Sequence, residues 1–322
     1  MKKLISVLLA ILLLACALTG CGTPHDSDDS LSIVTTIFPI YDWVKQIMGN
    51  AAVEAQLTML IDSGVDLHSY QPTAADMIRI AECDMFIYVG GPSDAWVEDM
   101  LANAGNPDMV VIDLLAVLGE SAVKDEEFVE GMEHEHHHET EEEPEKDEHV
   151  WLSLKNAALI CTHIADQLAA LDPEHRDIYT ANASAYTEEL TTLDLAYQTA
   201  VDAAPVKTLV FADRFPFRYL VDDYGLAYYA AFSGCSAESE ASFETVAFLA
   251  GKIDELGFST VLTVDGMNQK LAETIIANTG AKNAAILSMH SMQSVSAADI
   301  AGGLTYLSAM EANLNVLKEA LN

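Results

Sequence analysis

The sequence predicts an α/β protein of two Rossmann-like lobes, each built on a parallel sheet, joined by one long spine helix. Short apolar segments alternate with segments of helical periodicity in both halves of the chain, and a long helical tract separates the halves. Strand followed by helix, repeated, implies a parallel sheet covered on both faces. The chain of 322 residues also exceeds the size of one comfortable hydrophobic core.

The first half alternates strands that are short and apolar with helices whose apolar residues recur every three or four positions. Bounding Gly, Pro and polar residues separate the elements. The predicted strands are residues 31–35, 53–59, 85–89 and 109–113, and the predicted helices are 39–48, 73–81 and 93–104.

The helical tract begins with residues 154–171, is interrupted at Pro173 and resumes over residues 174–203. A helix of about 30 residues is about 45 Å long, enough to run the length of a two-lobed body. The alternation then restarts. The predicted strands are 208–211, 226–231, 260–263 and 285–287, and the helices are 217–224, 243–256, 269–279 and a closing helix at 296–321.

The N-terminus resembles a secretory signal. Lys2 and Lys3 precede an apolar run over residues 4–18, and small residues follow before Cys21. The run is shorter than the roughly 20 residues that span a bilayer, so we expect a cleaved signal rather than an uncleaved membrane anchor. This predicts a signal peptide at residues 1–21 with Cys21 as the lipid-attachment site. The protein would lie outside the cell, lipid-anchored to the outer face of the plasma membrane, with no other contact with the bilayer.

The remaining boundaries follow from composition and periodicity. We expect a flexible leash, an N-terminal α/β lobe that is interrupted by a His-rich acidic loop, a long linking helix and a C-terminal α/β lobe. The leash is residues 22–30, and the N-terminal lobe is residues 31–124 and 149–171, with the His-rich acidic loop at 125–148 between them. The linking helix is residues 172–204 and the C-terminal lobe is residues 205–322.

The loop is the most unusual segment of the chain. Residues 131–149 read GMEHEHHHETEEEPEKDEH, with almost no apolar residue. Imidazole suits zinc, copper, nickel and iron, and the flanking carboxylates concentrate divalent cations. We expect a metal-capture loop that binds Zn²⁺ weakly; the alternative is a solvated acidic linker with accidental histidines. The capture residues would be His134, His136, His137 and His138.

The charge of −35 argues against nucleic acid as a partner, because nucleic-acid binding needs a basic surface. Cations are the natural partners of such a field, and we expect a monomer. Cys83, Cys161 and Cys235 have no short spacing, so they indicate neither a disulfide framework nor a cysteine zinc cluster. We expect each to be a small buried apolar residue.

Four possible ligands follow predicted strands or end the acidic loop: His68, His149, Asp265 and His290. Ligands of open α/β sheets gather at the carboxyl ends of the strands. Three imidazoles and one carboxylate make a closed tetrahedral set for one tightly bound Zn²⁺. Each signal is weak alone, because an isolated loop histidine or a helix-capping Asp is common.

Several motifs resemble those of the zinc- and manganese-binding solute receptors of ABC importers, over nearly the whole mature chain. The His-rich insert just before the second ligand motif is similar to the zinc-specific branch. The resemblance implies two lobes joined by a long helix with the metal between them, and His68 and His149 as its first two histidines. The motifs are residues 34–42 (VTTIFPIYD), 64–73 (GVDLHSYQPT), 86–91 (FIYVGG) and 149–152 (HVWL).

The second lobe departs from the family pattern. Ala212 stands where the family has its third histidine, and the family carboxylate aligns at Asp265 or at Val264. His290 then becomes the substitute nitrogen ligand, with Asp213 as a competitor.

Two acidic residues of the second lobe are further candidates. The resemblance places an outer carboxylate, which orients a ligand histidine, in residues 236–242 (SAESEAS), at Glu238 or Glu240. Both also compete with His290 as ligands.

Together these features predict a receptor that captures Zn²⁺ and delivers it to the permease of an ABC importer, without catalysis. A manganese or iron receptor is the nearest alternative, since manganese prefers oxygen-rich sites. A secreted zinc-dependent hydrolase would need an open coordination position and a general base, for which Glu238 or Glu240 could serve. A surface adhesin would need an aromatic or repetitive binding face, which the chain does not show.

Overall fold

The computed structural model describes residues 30–102, 104, 106–133, 145–234 and 240–322. Two four-stranded sheets, both entirely parallel, confirm the predicted fold class. The first sheet has the order β2-β1-β3-β4 and the second β6-β5-β7-β8. The strands are β1 Ser32–Thr35, β2 Gln56–Met59, β3 Met85–Tyr88, β4 Val110–Asp113, β5 Thr208–Arg214, β6 Ala227–Phe232, β7 Thr260–Val264 and β8 Ala285–Met289.

Helices connect the strands of each sheet. They are α1 Phe38–Met48, α2 Ala74–Glu82, α3 Trp96–Leu101, α4 Leu114–Leu118, α5 Leu154–Leu171, α6 Arg176–Ala203, α7 Arg218–Tyr224, α8 Phe243–Leu256, α9 Lys270–Ala277, α10 Ala297–Ala301 and α11 Tyr306–Ala320. Short 3₁₀ turns lie at Gly49–Val53, Leu67–Ser69, Pro92–Asp94 and Val150–Leu152. None of the helices in these described residues has the length and hydropathy that a bilayer crossing requires.

Helix α6 is the spine. Its buried residues recur every three or four positions and form one stripe, which packs against α5 and α1. The Tyr197 hydroxyl, at the far end of this stripe, donates to the backbone oxygen of Met310 at 2.6 Å. The spine is therefore fixed to the C-terminal helix as well as to the first lobe. The stripe consists of Tyr179, Ala183, Tyr186, Leu190, Leu193, Tyr197 and Val201.

The two sheets share a continuous hydrophobic core that runs through the spine. Buried polar contacts also join residues far apart in the chain. The Asp42 carboxylate in α1 accepts from the backbone N–H of Tyr306 at 2.9 Å and so supports the start of α11. The Trp151 indole donates to the backbone oxygen of Ser291 at 2.8 Å. The first half of the chain is thus tied to the loop that follows β8.

Residues 124–133, which we call the crossing segment, leave the first lobe and pack on the second. Glu133 accepts from the N–H of Ser242 at 3.0 Å and from the Thr245 hydroxyl at 2.7 Å, at the first turn of α8. Met132 is buried, and a Cβ on Gly131, whose φ is +88°, would collide with the Phe248 ring. The His-rich loop therefore starts from a fixed point on the second lobe.

Two elements differ from the sequence prediction. The single closing helix predicted at 296–321 is two helices, α10 and α11, interrupted at Gly302 and Gly303, where φ of Gly303 is +96°. Helix α4 was not predicted, because its five residues are too short to show helical periodicity. Its start is capped by Asp113, which accepts from the N–H of Ala116 at 3.0 Å.

The spine offers a matched pair of substitutions. Leu190 is fully buried, whereas Leu195 in the same helix is 65% exposed. Leu190→Ala should lower the free energy of unfolding by about 2–5 kcal/mol, because it leaves a cavity between the spine and the core. Leu195→Ala should change it by less than about 0.5 kcal/mol. Urea denaturation measures both, and equal effects would show that the spine stripe does not stabilise the fold.

Candidate metal centre

His68 and His149 meet at the carboxyl edges of the strands. His68 lies in the 3₁₀ turn that follows β2, and His149 directly precedes the turn Val150–Leu152. Their Nε2 atoms are 3.2 Å apart, although 81 residues separate them in the chain. His149 is fully buried, and the side chain of His68 is 11% exposed. The structure thus brings together the two residues that the family motifs indicated.

Each imidazole has a carboxylate at its other nitrogen. Asp147 Oδ1 lies 2.8 Å from Nδ1 of His149, and Glu148 Oε1 lies 3.1 Å from Nδ1 of His68. A carboxylate accepts, so each Nδ1 carries the hydrogen, and in the neutral form of each ring Nε2 presents a lone pair to the other ring. Orientation by a carboxylate is a usual feature of metal-binding histidines. Three consecutive residues, 147–149, therefore supply one imidazole and both orienting carboxylates.

Glu148 is held deep in the protein by Ser93. The Ser93 backbone N–H donates to Glu148 Oε2 at 3.2 Å, and its hydroxyl also donates to Glu148. Ser93 Oγ lies 2.8 Å from Nδ1 of His68. Burial by itself raises the pKa of Glu148, but the hydrogen bonds from His68 and Ser93 outweigh it and the pKa is lowered. Glu148 is therefore ionised beside His68.

The position of the His149 ring depends on close packing. A Cβ on Gly234 would lie 2.9 Å from the backbone oxygen of Phe215 and 3.1 Å from Cε1 of His149. Only glycine leaves the ring its space. Burial lowers the pKa of His149, but the Asp147 carboxylate outweighs that effect, and the pKa lies above its ordinary value of 6.5.

A charge pair between the lobes stabilises the turn that contains His68. Asp66 accepts from the backbone N–H of His68 at 3.0 Å, and its other oxygen accepts from Arg214 at 2.8 Å. Burial raises the pKa of Asp66, but Arg214 outweighs it and the net shift is downward. Arg214 ends β5, so the second lobe directly supports the geometry of the first-lobe histidine.

Gln293 is the third group at the site, and it is not among the ligands predicted from the sequence. Its Nε2 lies 2.8 Å from Nε2 of His68 and 2.9 Å from Nε2 of His149, and the residue is buried. Gln293 follows β8 by four residues, in the same loop as His290. The preceding residue, Met292, has φ of +62°, a conformation that non-glycine residues rarely adopt and that clusters at functional sites.

The three nitrogen atoms form a triangle with edges of 3.2, 2.8 and 2.9 Å. In a tetrahedral zinc site with zinc–nitrogen bonds of about 2.0–2.1 Å, neighbouring donor atoms are about 3.3 Å apart. The edge between the two histidines already has this length, and the two edges to Gln293 are slightly short. Within the described ranges no three His, Cys, Asp or Glu side chains converge on a metal position. A third donor from those residue types is therefore not in place in this conformation.

Asp265 and His290, the two other predicted ligands, are placed against each other. Asp265 Oδ2 lies 3.3 Å from Nδ1 of His290, and Asp265 Oδ1 accepts from the backbone N–H of Ser291 at 2.7 Å. The backbone N–H of His290 donates to Asn313 at 2.6 Å. These contacts shape the loop that carries Gln293. The four-residue ligand set remains a prediction.

The other predicted residues lie elsewhere or outside the described part. Asp213 accepts from the backbone N–H of Val264 at 3.1 Å, Ala212 and Val264 are buried, and Glu240 is exposed. Cys83 and Cys161 are buried thiols, as expected. Six predicted residues lie outside the described residues, as does Cys235: Cys21, Glu238, His134, His136, His137 and His138.

The known proteins that this chain resembles are zinc-uptake and zinc-binding proteins. Residues 33–320 match the family model described as ZnuA, the periplasmic component A of a zinc-uptake complex. Zinc-binding lipoprotein AdcA of Streptococcus pneumoniae is 33% identical over 324 residues, covering 99% of this chain and 61% of AdcA. The chain thus spans about three-fifths of the length of that relative. High-affinity zinc uptake system protein ZnuA of Bacillus subtilis is 29% identical, covering 98% of this chain and 96% of that protein.

The fold is also found in solved structures. The Zn(II)-bound ZnuA-like domain of Streptococcus pneumoniae AdcA superposes with a TM-score of 0.71 at 29% identity. The superposition covers 91% of this chain and 99% of that domain.

The carboxylate at His149 gives a pH prediction. Asp147→Asn should lower the pKa of His149 in the metal-free protein, because the charge that opposes burial is removed. Since the folded pKa exceeds the unfolded value, wild-type His149 stabilises the fold below pH about 6.5, and this contribution is lost as pH rises through the folded pKa. NMR titration of the histidines measures the shift.

His175 is the internal control for that titration. Its pKa is raised by a hydrogen bond to Asp172, remote from the site, so it should not change in Asp147→Asn. An unchanged His149 titration in the variant would contradict the assigned role of Asp147.

Proposed function

Because this chain belongs to the zinc-uptake component A family, we propose that it is an extracytoplasmic receptor that captures Zn²⁺ and delivers it to the permease of an ABC importer. One observation carries the proposal. The buried imidazole of His149 and the partly exposed imidazole of His68, from distant parts of the chain, have their Nε2 atoms 3.2 Å apart, and a carboxylate lies at each Nδ1. Neutral, pre-oriented imidazoles are what zinc ligation requires.

In the proposal, His68 and His149 are the primary ligands. Asp147 and Glu148 fix their tautomers, and their negative charges compensate part of the charge of a bound divalent cation. Asp265 and His290 hold the loop that follows β8 in its present path. Binding of this kind changes no covalent bond, so the receptor performs no catalysis on the metal.

Zinc is favoured over manganese and iron by the donor set. Two imidazole nitrogens at an edge of tetrahedral length suit zinc, whereas manganese prefers more oxygen donors and a higher coordination number. A hydrolase is disfavoured because a catalytic zinc site needs a general base beside its water. The buried carboxylates near the histidines, Asp147 and Glu148, are engaged with imidazole Nδ1 atoms and Ser93.

The cellular arrangement is part of the same proposal. The signal-like N-terminus supports attachment of lipid at Cys21, which would hold a monomeric receptor at the outer face of the plasma membrane, close to its permease. The His-rich loop would raise the local zinc concentration near the buried site. The residues that flank the loop support this. The side chain of Glu133 is bound at one end, and the backbone N–H of Glu126 donates to the backbone oxygen of Glu145 at the other.

The zinc site is tested by removing one imidazole. His68→Ala or His149→Ala should weaken zinc binding by more than the roughly 10–100-fold that loss of an outer partner costs. Isothermal titration with a competing chelator measures the dissociation constants. His175→Ala is the matched control, since His175 pairs with Asp172 away from the site. Tight binding retained in both site variants would refute the proposed function.

The loop is tested separately. Replacing residues 134–144 by a short Gly-Ser linker keeps the flanking residues Glu133 and Glu145. It should leave the zinc affinity of the buried site within about twofold, because His68 and His149 are unchanged. Capture should slow when zinc is scarce, since the loop raises the local cation concentration. Stopped-flow competition measures the rate.

A variant with the four loop histidines changed to Ser is the control for charge, because it keeps every acidic residue of the loop. It should slow capture as the linker variant does if imidazoles carry the capture. Loss of tight binding on loop replacement would reverse the assigned roles of loop and buried site.

A further inference from the structure

The carboxamide of Gln293 lies at a donor position beside the point where a metal ion would meet both histidines. Its Nε2 is within 2.9 Å of each imidazole Nε2, and the residue is buried. With both Nδ1 hydrogens directed at carboxylates, the two Nε2 atoms are acceptors when the rings are neutral, the form that binds a metal. Two largely buried acceptors that face each other at 3.2 Å need a donor, because an acceptor that loses its water and gains no hydrogen bond destabilises the fold.

An amide NH₂ group has two hydrogens, and here each can donate to one imidazole. Gln293 therefore satisfies both lone pairs at once, as a cation would. The same amide group also has a carbonyl oxygen, which lies in the same plane as the nitrogen and at a similar distance from Cδ. If the amide turns over about its terminal bond, the oxygen takes the nitrogen's place and faces the same point.

The backbone around Gln293 is fixed, so the change needs only the side chain. Ser291 is held by Asp265 at 2.7 Å and by Trp151 at 2.8 Å, and the N–H of Met292 donates to Nδ1 of His290 at 3.1 Å. Met292 is buried in its left-handed conformation. These contacts aim Gln293 at the histidines in a way that a loosely held surface glutamine would not share.

We propose that Gln293 is the third zinc-binding group: its NH₂ satisfies His68 and His149 in the empty site, and its carbonyl oxygen binds the ion after the amide turns over. This inference rests on the proposed zinc-receptor function and identifies how the second lobe contributes to that site. The resulting donor set of two imidazoles and one amide is neutral. All negative charge lies in the outer groups Asp147 and Glu148, which distinguishes the site from one with a directly bound carboxylate.

The test uses Gln293→Leu, which keeps a similar volume without any donor atom, and Gln293→Glu, which adds a charged oxygen at the same place. Zinc affinity by chelator competition should fall about 10-fold or more in the Leu variant and rise by a similar factor in the Glu variant. The Co²⁺ absorption spectrum should change in both, because the donor set changes. Circular dichroism and urea denaturation confirm that both variants are folded.

A different result would overturn the inference. If Gln293 only competed with the metal, the Leu variant would bind zinc as tightly as wild type or more tightly. An unchanged Co²⁺ spectrum in the Glu variant would also exclude direct ligation. These outcomes are separate from failure of the proposed function. That failure would appear as absence of zinc binding in the wild type or its persistence in His68→Ala. Intact wild-type binding together with unchanged zinc affinity in the Leu variant would refute the role of Gln293 alone.

Discussion

The meeting of two imidazole lone pairs in a buried space is the constraint around which the rest of the molecule is arranged. Two acceptors at 3.2 Å are unfavourable unless something between them donates hydrogen or positive charge. The carboxylates at Nδ1 maintain this state, because they fix the tautomer that directs both lone pairs inward. Glycine at position 234, the Ser93 contacts to Glu148 and the Asp66–Arg214 pair each serve this geometry.

The lobes divide the work. The first lobe and the end of the acidic loop supply both imidazoles and both carboxylates, through residues 68 and 147–149. The second lobe supplies support in the form of Arg214, Gly234 and the loop that follows β8. Such a division agrees with the departure predicted from the sequence, in which the buried apolar residue Ala212 stands where the third family histidine is expected. The loop after β8 contributes an amide instead.

Much of the fold was readable from the chain. Helix α8 begins and ends at the predicted residues. Each of the eight strands lies at a predicted apolar run, because strands of a parallel sheet that is covered by helices are short apolar runs with clear breaks. The closing helix was predicted too long, although Gly302 and Gly303 were visible as an interruption. Short helix α4 has too few residues for a periodic signal.

The site was only partly readable, for physical reasons. His68 and His149 stand in recognisable motifs, but glutamine is an uncommon metal ligand and Gln293 gave no signal of its own. Its position depends on the left-handed conformation of Met292, which side-chain type does not reveal. The roles of Asp147 and Glu148 could not be predicted for a different reason. They belong to a long acidic run in which composition cannot separate two buried, oriented carboxylates from their solvated neighbours.

The crossing segment has a mechanical consequence. It joins the two lobes separately from the spine, with Tyr228 donating to Glu127 at one point and α8 donating to Glu133 at another, while the Tyr219 hydroxyl donates to the backbone oxygen of Asp147. Because the lobes are connected both by the spine and by this segment, they resist the large hinge opening by which many two-lobed binding proteins admit their ligand. Entry and exit of an ion would then depend on small movements of side chains and loops around the site, while the two lobes hardly move relative to each other.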